Sequence, residues 1–160
     1  MKVAIVVHSK TGTTRRFADR IEKALRNDDH DVALTQLKTS VPVVSGTLRH
    51  HKEFSFVNLP DCTDYNAILV GGPVWAFTIS PVAYEAIKSL GTMTGKQFLP
   101  FVTMASPFYF SGGTAAISLM SRTAREAGAK VLPGSISPKL FHNQQREMAE
   151  KAKAIAKRLR

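Results

Sequence analysis

The sequence predicts an α/β protein with an open, doubly wound parallel sheet of five strands in the order 2-1-3-4-5. Two patterns support this prediction. Short apolar runs, typical of strands that are buried on both faces, alternate along the chain with segments whose apolar residues recur at helical spacing. The chain has 160 residues, of which 44% are hydrophobic, and we expect one domain over residues 1–160.

The individual elements follow in order from these two patterns. Strands are predicted over residues 2–7, 32–37, 65–73, 98–104 and 129–132. Helices are predicted over residues 13–26, 81–90 and 114–127, and from residue 144 onward. The second helix follows Ser80 as its N-cap and has Pro81 at its first position. Residues 39–63 have no clear period, and we expect a long loop with a short extended piece there.

A sheet of this strand order binds ligands beyond the carboxyl ends of its strands, at the point where the order reverses. Three predicted loops end there, at residues 9–14, 72–80 and 105–113. They are far apart in the sequence but are expected to converge in space. Their convergence predicts a ligand site.

The first of these loops, residues 9–14 (SKTGTT), places four hydroxyl side chains and one glycine between a strand and a helix. Free backbone amides and the positive end of a helix dipole make such a turn suitable for a phosphate group. The loop has neither the GxxxxGKS/T motif of nucleoside triphosphatases nor the GxGxxG dinucleotide motif. The alternative is that Thr11 or Thr13 merely caps the helix. Four hydroxyls exceed what a cap requires, which favours the phosphate.

The other two loops are rich in aromatic residues. Trp75, the only tryptophan, lies in the second loop, where it could stack on a planar ring or cover the end of the core. The third loop contains Phe108-Tyr109-Phe110 between Ala105-Ser106 and Gly112-Gly113. Its glycines could let the main chain approach a ring edge closely. Its aromatic residues could wall that ring, admit a second planar substrate, act as a lid or form an interaction patch, and these alternatives stay open.

The charge balance narrows the classes of partner. The formal net charge is +10, which could favour anionic ligands, acidic proteins, nucleic acid or anionic membrane surfaces. There is no nucleic-acid motif, so we expect no nucleic-acid binding and attribute the excess to solubility and weak steering. No apolar run approaches the roughly 20 residues of a membrane span. The N-terminus has no signal-peptide pattern, and a cytoplasmic location is expected.

A metal site is not expected. The chain has a single cysteine, Cys62, which excludes an internal disulfide, and it has no cluster of cysteine and histidine at zinc-ligand spacing. His50 and His51 are adjacent, but neighbouring residues do not share a face and no third ligand is nearby. A solvated basic loop is the favoured interpretation of that pair.

Two of these loops resemble a known family. Residues 9–14 are similar to the S/T-x-T-G-x-T phosphate loop of flavodoxin-like proteins, and residues 65–75 (YNAILVGGPVW) are similar to their YD-x-I-x-x-G-x-P-x-W/Y strand and flavin loop. The resemblance covers nearly the whole chain and implies non-covalently bound FMN. The cofactor-binding residues that it implies are Ser9, Lys10, Thr11, Gly12, Thr13 and Thr14 at the phosphate, Pro73, Val74, Trp75, Ala76 and Phe77 beside the isoalloxazine, and Ala105, Ser106, Gly112 and Gly113 on its pyrimidine side.

The resemblance also implies a function and shows a departure from the family. It implies an FMN-dependent oxidoreductase or electron-transfer protein that uses a redox partner protein, or NAD(P)H and a small acceptor, with no obligatory side-chain acid or base. A homodimer is left open. Electron-carrier flavodoxins are acidic, whereas this chain is basic and has Lys10, Arg15 and Arg16 around the phosphate loop. The alternative is a binding or regulatory module of the same fold that does not hold FMN.

Overall fold

The computed structural model describes residues 1–46, 52–139 and 143–159. The strands in this part of the chain are β1 (Lys2–Val7), β2 (Asp31–Gln36), β3 (Ala67–Trp75), β4 (Thr78–Ile79), β5 (Gln97–Met104), β6 (Lys130–Val131) and β7 (Ser135–Pro138). The helices are α1 (Thr13–Asn27), α2 (Pro81–Ser89), α3 (Gly113–Glu126) and α4 (Gln144–Arg158). The adjacent pair His50-His51 lies outside the described residues.

The sheet has the predicted doubly wound arrangement. Its strands lie in the order β2-β1-β3-β5-β6, and all of these neighbours are parallel. In the register of the sheet, Ile5 of β1 is paired with Leu34 of β2 on one side and with Leu69 of β3 on the other. Leu69 is in turn paired with Leu99 of β5. The predicted fold class, with the order 2-1-3 followed by the fourth predicted strand (β5), is therefore confirmed.

The predicted fifth strand, residues 129–132, is present as the shorter β6 and is followed by a strand that was not predicted. The chain forms only the two-residue β6 there and breaks at Pro133-Gly134. It then returns to β5 as β7, which runs parallel to the last four residues of β5. Pro133 has no N–H to extend the ladder, and Gly134 lets the chain pass close to its neighbours, because a Cβ there would lie 2.8 Å from Ile117. The fifth position of the sheet is thus shared by two short strands.

The core lies on both faces of the sheet because successive strand residues point to opposite sides. One layer packs β1 residues such as Val3 and Ile5 against α1 and α4. The other packs Ala4 and Val6 of the same strand against α2 and α3. Burial on both faces explains why the sequences of these strands are continuous apolar runs. Polar side chains that could bind a ligand therefore lie in the loops at the ends of the strands.

Several other predictions can be compared directly with the structure. Ser80 caps α2, since its Oγ accepts a hydrogen bond from the N–H of Ala83, and Pro81 is the first helical residue, as predicted. Within residues 39–63, the described part contains an isolated antiparallel bridge between Thr39 and Phe56, consistent with a loop and a short extended piece. The third strand was predicted to end at residue 73, but β3 continues to Trp75.

Candidate functional site

A cleft of about 260 Å³ opens at the carboxyl ends of β1, β3 and β5, where the strand order reverses. Its lining residues are Thr11, Thr13, Pro73, Val74, Trp75, Thr103, Met104, Ala105 and Lys139. All three predicted loops contribute to this lining. The structure therefore brings together segments that are as far apart in the sequence as Thr11 and Ala105.

The first loop presents unpaired backbone amides at the N-terminus of α1. Gly12 is the N-cap residue, with a φ of 90°, and no side chain caps the helix. The alternative interpretation, in which Thr11 or Thr13 caps α1, is therefore wrong. No described residue accepts a hydrogen bond from the amides of residues 10–14. A group of free N–H donors at a helix N-terminus is suited to binding an anion.

The four hydroxyls of this loop have two different roles. Oγ1 of Thr11 lies 3.5 Å from Oγ1 of Thr13, and both residues line the cleft. Oγ of Ser9 instead accepts a hydrogen bond, at 3.1 Å, from a backbone N–H in the first turn of α1. Thr14 is buried, and its Oγ1 lies 2.7 Å from Oγ1 of Thr103 at the end of β5. Ser9 and Thr14 thus hold the loop in place and leave two hydroxyls for a ligand.

The three cations around the loop point in different directions. The guanidinium of Arg15 donates hydrogen bonds, at 2.8 and 3.2 Å, to two side chains outside the cleft lining. Arg16 instead lies over the loop, where its Nη2 donates to Oγ1 of Thr13 at 3.3 Å. Nζ of Lys10 lies 5.9 Å from the ring centre of Trp75. Arg16 and Lys10 are therefore the cations of this segment that adjoin the cleft.

Trp75 is held from behind by a buried histidine. The ring of His8 meets the Trp75 ring edge-on, at a centroid distance of 5.0 Å and an interplanar angle of 86°. Nδ1 of His8 lies 2.8 Å from Oγ of Ser80, which also accepts the N–H of Ala83. The serine proton is therefore available to Nδ1, as expected for a neutral imidazole. Burial, reinforced by the charge of Lys10, lowers the pKa of His8 to about 4.

The second loop is a tight hairpin rather than the predicted loop over residues 72–80. Trp75 at the end of β3 is paired with Thr78 at the start of β4, so that only Ala76 and Phe77 form the turn. Their φ angles are 47° and 65°, the two positive values of a type I′ turn. Left-handed backbone costs roughly 1–2 kcal/mol for each residue with a side chain. Both residues are exposed and lie outside the cleft lining.

The glycines of the third loop serve protein packing. We expected Gly112 and Gly113 to let the main chain approach a ring edge, and the structure also shows protein atoms where a Cβ would lie at each. A Cβ at Gly112, whose φ is 112°, would lie 2.6 Å from backbone atoms of Phe77. A Cβ at Gly113 would lie 2.8 Å from Sδ of Met104. The second and third loops are therefore in direct contact through a position that only glycine fits.

The rest of the third loop is divided between the cleft and the surface. Ala105 lines the cleft, and Oγ of Ser106 accepts the N–H of Phe108 and so stabilises the turn. The rings of Phe108 and Phe110 are stacked with centroids 5.4 Å apart and an angle of 16°. Tyr109 is directed elsewhere, since its hydroxyl accepts a hydrogen bond from Nζ of Lys151 on α4 at 3.1 Å.

Comparisons with known proteins address the fold. No protein-family model and no curated protein sequence matches the chain. Among solved structures, flavodoxin 1 from Bacillus cereus is 19% identical with a TM-score of 0.68, over 99% of this chain and 96% of that one. A Streptococcus pneumoniae flavodoxin is 18% identical with a TM-score of 0.69, over 99% and 97%. A Lactobacillus acidophilus flavoprotein, solved in complex with FMN, is 20% identical with a TM-score of 0.66, over 84% and 92%.

The chain has a flavodoxin-like fold. The matches extend over almost the whole chain, and the strand order and the position of the cleft agree with the resemblance found in residues 9–14 and 65–75. At these identities the likeness concerns the fold, and the chemistry of the site rests on its own residues.

Three further residues, which the sequence did not predict, line the cleft of this flavodoxin-like fold. Thr103 and Met104 end β5 and line the cleft floor beside the third loop. They could have been found, because they end a predicted strand at the edge where ligands bind. Lys139 follows β7, and its backbone N–H donates to the carbonyl of Met104. Nothing in the sequence indicated β7, so this third cation of the cleft was unforeseen.

Other chemistry is not visible in the part of the chain that the structure describes. No group of three or more histidine, cysteine or acidic side chains is arranged to hold a metal ion among residues 1–46, 52–139 and 143–159. In the same residues, no helix is long and apolar enough to cross a membrane. Cys62 is buried, and desolvation raises the pKa of its thiol to about 11, which keeps it protonated.

Proposed function

We propose that this protein binds FMN non-covalently in the cleft and transfers electrons through it. The observation that carries the proposal is the first loop: its amides over residues 10–14 are free, and its residues Thr11 and Thr13 line one cleft together with Trp75. That combination suits a ligand with a phosphate at one end and a planar ring at the other. The FMN held by the L. acidophilus flavoprotein of the same fold supports this choice.

The residues present fit the phosphate end of FMN. A phosphate dianion at the N-terminus of α1 would accept hydrogen bonds from the loop amides and from Thr11 and Thr13, with the guanidinium of Arg16 as counter-charge. Ser9 and Thr14, which were implied as direct phosphate ligands, are proposed to act by fixing the loop. No acidic residue lies in the first turn of α1 to oppose the anion.

The residues of the second and third loops fit the ring end. Pro73, Val74 and Trp75 at the end of β3 offer an apolar lining beside Met104 and Ala105 at the end of β5. Bound FMN would supply the redox chemistry, and the protein would position it and exclude water from part of the ring. Lys10 and Lys139 would favour the anionic form of reduced FMN by their charge.

The electron donor and acceptor belong to the same proposal. A redox partner protein would exchange electrons with FMN, or NAD(P)H would reduce it and a small acceptor would oxidise it. We assign no side chain as a general acid or base, because the described residues that line the cleft include no carboxylate or histidine. We further propose that the protein acts in the cytoplasm and does not bind nucleic acid.

The test compares FMN with riboflavin, which has the same ring but no phosphate. The proposal predicts a yellow 1:1 complex with FMN and binding of riboflavin at least about 100-fold weaker, since each hydrogen bond to a charged group contributes about 1.5–3 kcal/mol. The double variant Thr11→Ala with Thr13→Ala should weaken FMN binding by a similar factor and leave riboflavin binding nearly unchanged. Dissociation constants come from absorbance titrations of the apoprotein.

The chain offers a matched control for this double variant. Thr92 and Thr94 have the same spacing, with hydroxyl oxygens 3.2 Å apart, at the opposite edge of the sheet. Their double alanine variant should bind FMN as the wild type does. A protein that remains colourless after exposure to excess FMN would instead support the alternative, a binding or regulatory module that does not hold FMN.

A further inference from the structure

Three aromatic side chains project outward beside the cleft. Phe77 of the hairpin is 74% exposed, and Phe108 and Phe110 of the third loop are 56% and 82% exposed. None of the three lines the cleft itself. Exposed large apolar side chains that gather around one site mark an interaction surface rather than core packing. We call Phe77, Phe108 and Phe110 the aromatic rim.

The backbone holds this rim outward at a cost. Phe77 has a φ of 65° in a turn where glycine or asparagine would be relaxed. The rings of Phe108 and Phe110 stack on each other instead of turning inward. Gly112 locks the two loops together, because its missing side chain lets it contact the backbone of Phe77. Strain that keeps an apolar ring in solvent is typical of a functional surface.

The described loops around the aromatic rim carry lysines and no acidic residue. The described residues of the loops at this edge, 8–13, 37–46, 75–80, 104–112 and 139, include no aspartate or glutamate. Exposed lysines are spread among them at Lys10, Lys38 and Lys139. Glu53, the acidic residue that follows in the chain, lines a different cavity with Glu85 of α2.

We propose that the aromatic rim and its surrounding lysines dock an acidic redox protein. This rests on the proposed FMN function and names the class of partner. An apolar centre with a charged border is the anatomy of a protein interface. A small substrate would instead be held by residues lining the cleft, which the rim residues do not do, and the lysines are dispersed over separate loops rather than focused on one point.

Docking would bring the partner's redox centre to the open side of the FMN site. In each encounter the reduced partner would donate one electron to the bound FMN. Two encounters, with protons taken up from solvent, complete the two-electron reduction of FMN. Complementary charge would speed the encounter, and added salt would slow it.

The experiment uses the FMN-loaded protein and an acidic plant-type 2Fe–2S ferredoxin, reduced beforehand, as the probe. Stopped-flow absorbance measures the second-order rate constant for FMN reduction at several ionic strengths. We expect the rate constant to fall with added salt. We also expect Phe110→Ala to lower it by at least about 3-fold, with the FMN dissociation constant and the melting temperature unchanged.

A charge pair provides the matched control. Lys38→Glu changes an exposed lysine at the basic edge, and Lys130→Glu makes the same charge change at the opposite edge, in β6. Docking at the aromatic rim predicts a decrease of about 3- to 10-fold for Lys38→Glu at low salt and almost none for Lys130→Glu. Equal effects of the two variants, or rates independent of salt, would overturn the proposal.

Two further outcomes separate the possible failures. If Phe110→Ala leaves the ferredoxin reaction intact but weakens reduction of a small quinone, the aromatic rim belongs to a small acceptor and the docking proposal is wrong. If the protein does not retain FMN at all, the proposed function itself fails before the docking question arises.

Discussion

At the amino edge of the sheet, positive φ angles occur at Asp29 and at the glycines Gly91, Gly95 and Gly128. At the carboxyl edge, positive φ angles occur at Ala76 and Phe77, and both are residue types for which this conformation is unfavourable. The two edges are joined by the same strands, yet only one of them keeps strained backbone. The strained turn of Ala76 and Phe77 therefore lies at the edge that holds the cleft.

Charge separates the two edges in the same way. The amino edge carries acidic residues at the ends of several strands and helices: Asp28, Asp29, Asp31, Asp61, Asp64 and Glu126. The described loops of the carboxyl edge carry none. The described loops around the cleft therefore carry lysines with no acidic residue in the same loops. A positive end of this kind attracts anions, whether a cofactor phosphate or an acidic partner.

The largest expected effect tests the contact between the two loops of the carboxyl edge. Gly112→Ala should lower the free energy of unfolding by about 2–5 kcal/mol, because left-handed backbone and a clash with Phe77 add together. Gly91→Ala, with a φ of 78° and no atom within 4 Å of the added Cβ, should cost only about 1–2 kcal/mol. Urea unfolding measures both. Equal losses would show that the loops are not locked together.

The next effect concerns pH. The pKa of His8 is depressed from 6.5 to about 4, so the unfolded chain binds more protons between these values. Stability is therefore retained above pH 6.5 and lost as the pH falls toward 4, by up to about 3 kcal/mol at 1.36 kcal/mol per unit. Unfolding titrations from pH 7 to pH 4 should show this slope in the wild type and a shallower one in His8→Gln. Identical slopes would contradict the neutral, buried imidazole.

The smallest effect tests the strain of the hairpin directly. Phe77→Gly should raise the free energy of unfolding by about 0.5–1 kcal/mol, because glycine relieves the left-handed strain but loses some of that gain in the unfolded chain. Asp29→Gly, at φ 60° on the amino edge, should give little or no gain because aspartate tolerates this conformation. A loss of stability in Phe77→Gly would show that the exposed ring supports the fold.

The comparison also shows which features the sequence could predict. The elements that form the buried layers were predictable because apolar period and capping residues encode them, as Ser80 and Pro81 do for α2. The motif at residues 9–14 predicted the first loop for the same reason: its hydroxyls and glycine are local chemistry. Which of these hydroxyls are free for a ligand was not predictable, because Thr14 is paired with Thr103, 89 residues further along the chain.

The parts that were missed depend on tertiary structure overriding local signals. A type I′ hairpin usually has Asn-Gly at the two central positions of its turn. Ala76-Phe77 stands there instead, so β4 was predicted as loop. Strand β7 follows Gly134 and has Pro138 as its last residue, and neither residue predicts a strand. The strand is recognised by its pairing with β5. Because β7 pairs with β5, the residue that follows it, Lys139, lines the cleft. In both places the unpredicted structure lies at the carboxyl edge, where long-range pairing overrides local residue preferences.

The central claim, that the carboxyl-edge cleft holds FMN against Trp75, can be tested by one titration. Trp75 is the only tryptophan, so intrinsic indole fluorescence reports on the cleft alone. Adding FMN to the apoprotein should quench most of this emission and saturate at one FMN per chain, because the flavin ring would lie against the indole. Emission that persists while flavin absorbance shows bound FMN would place the cofactor elsewhere and contradict the account.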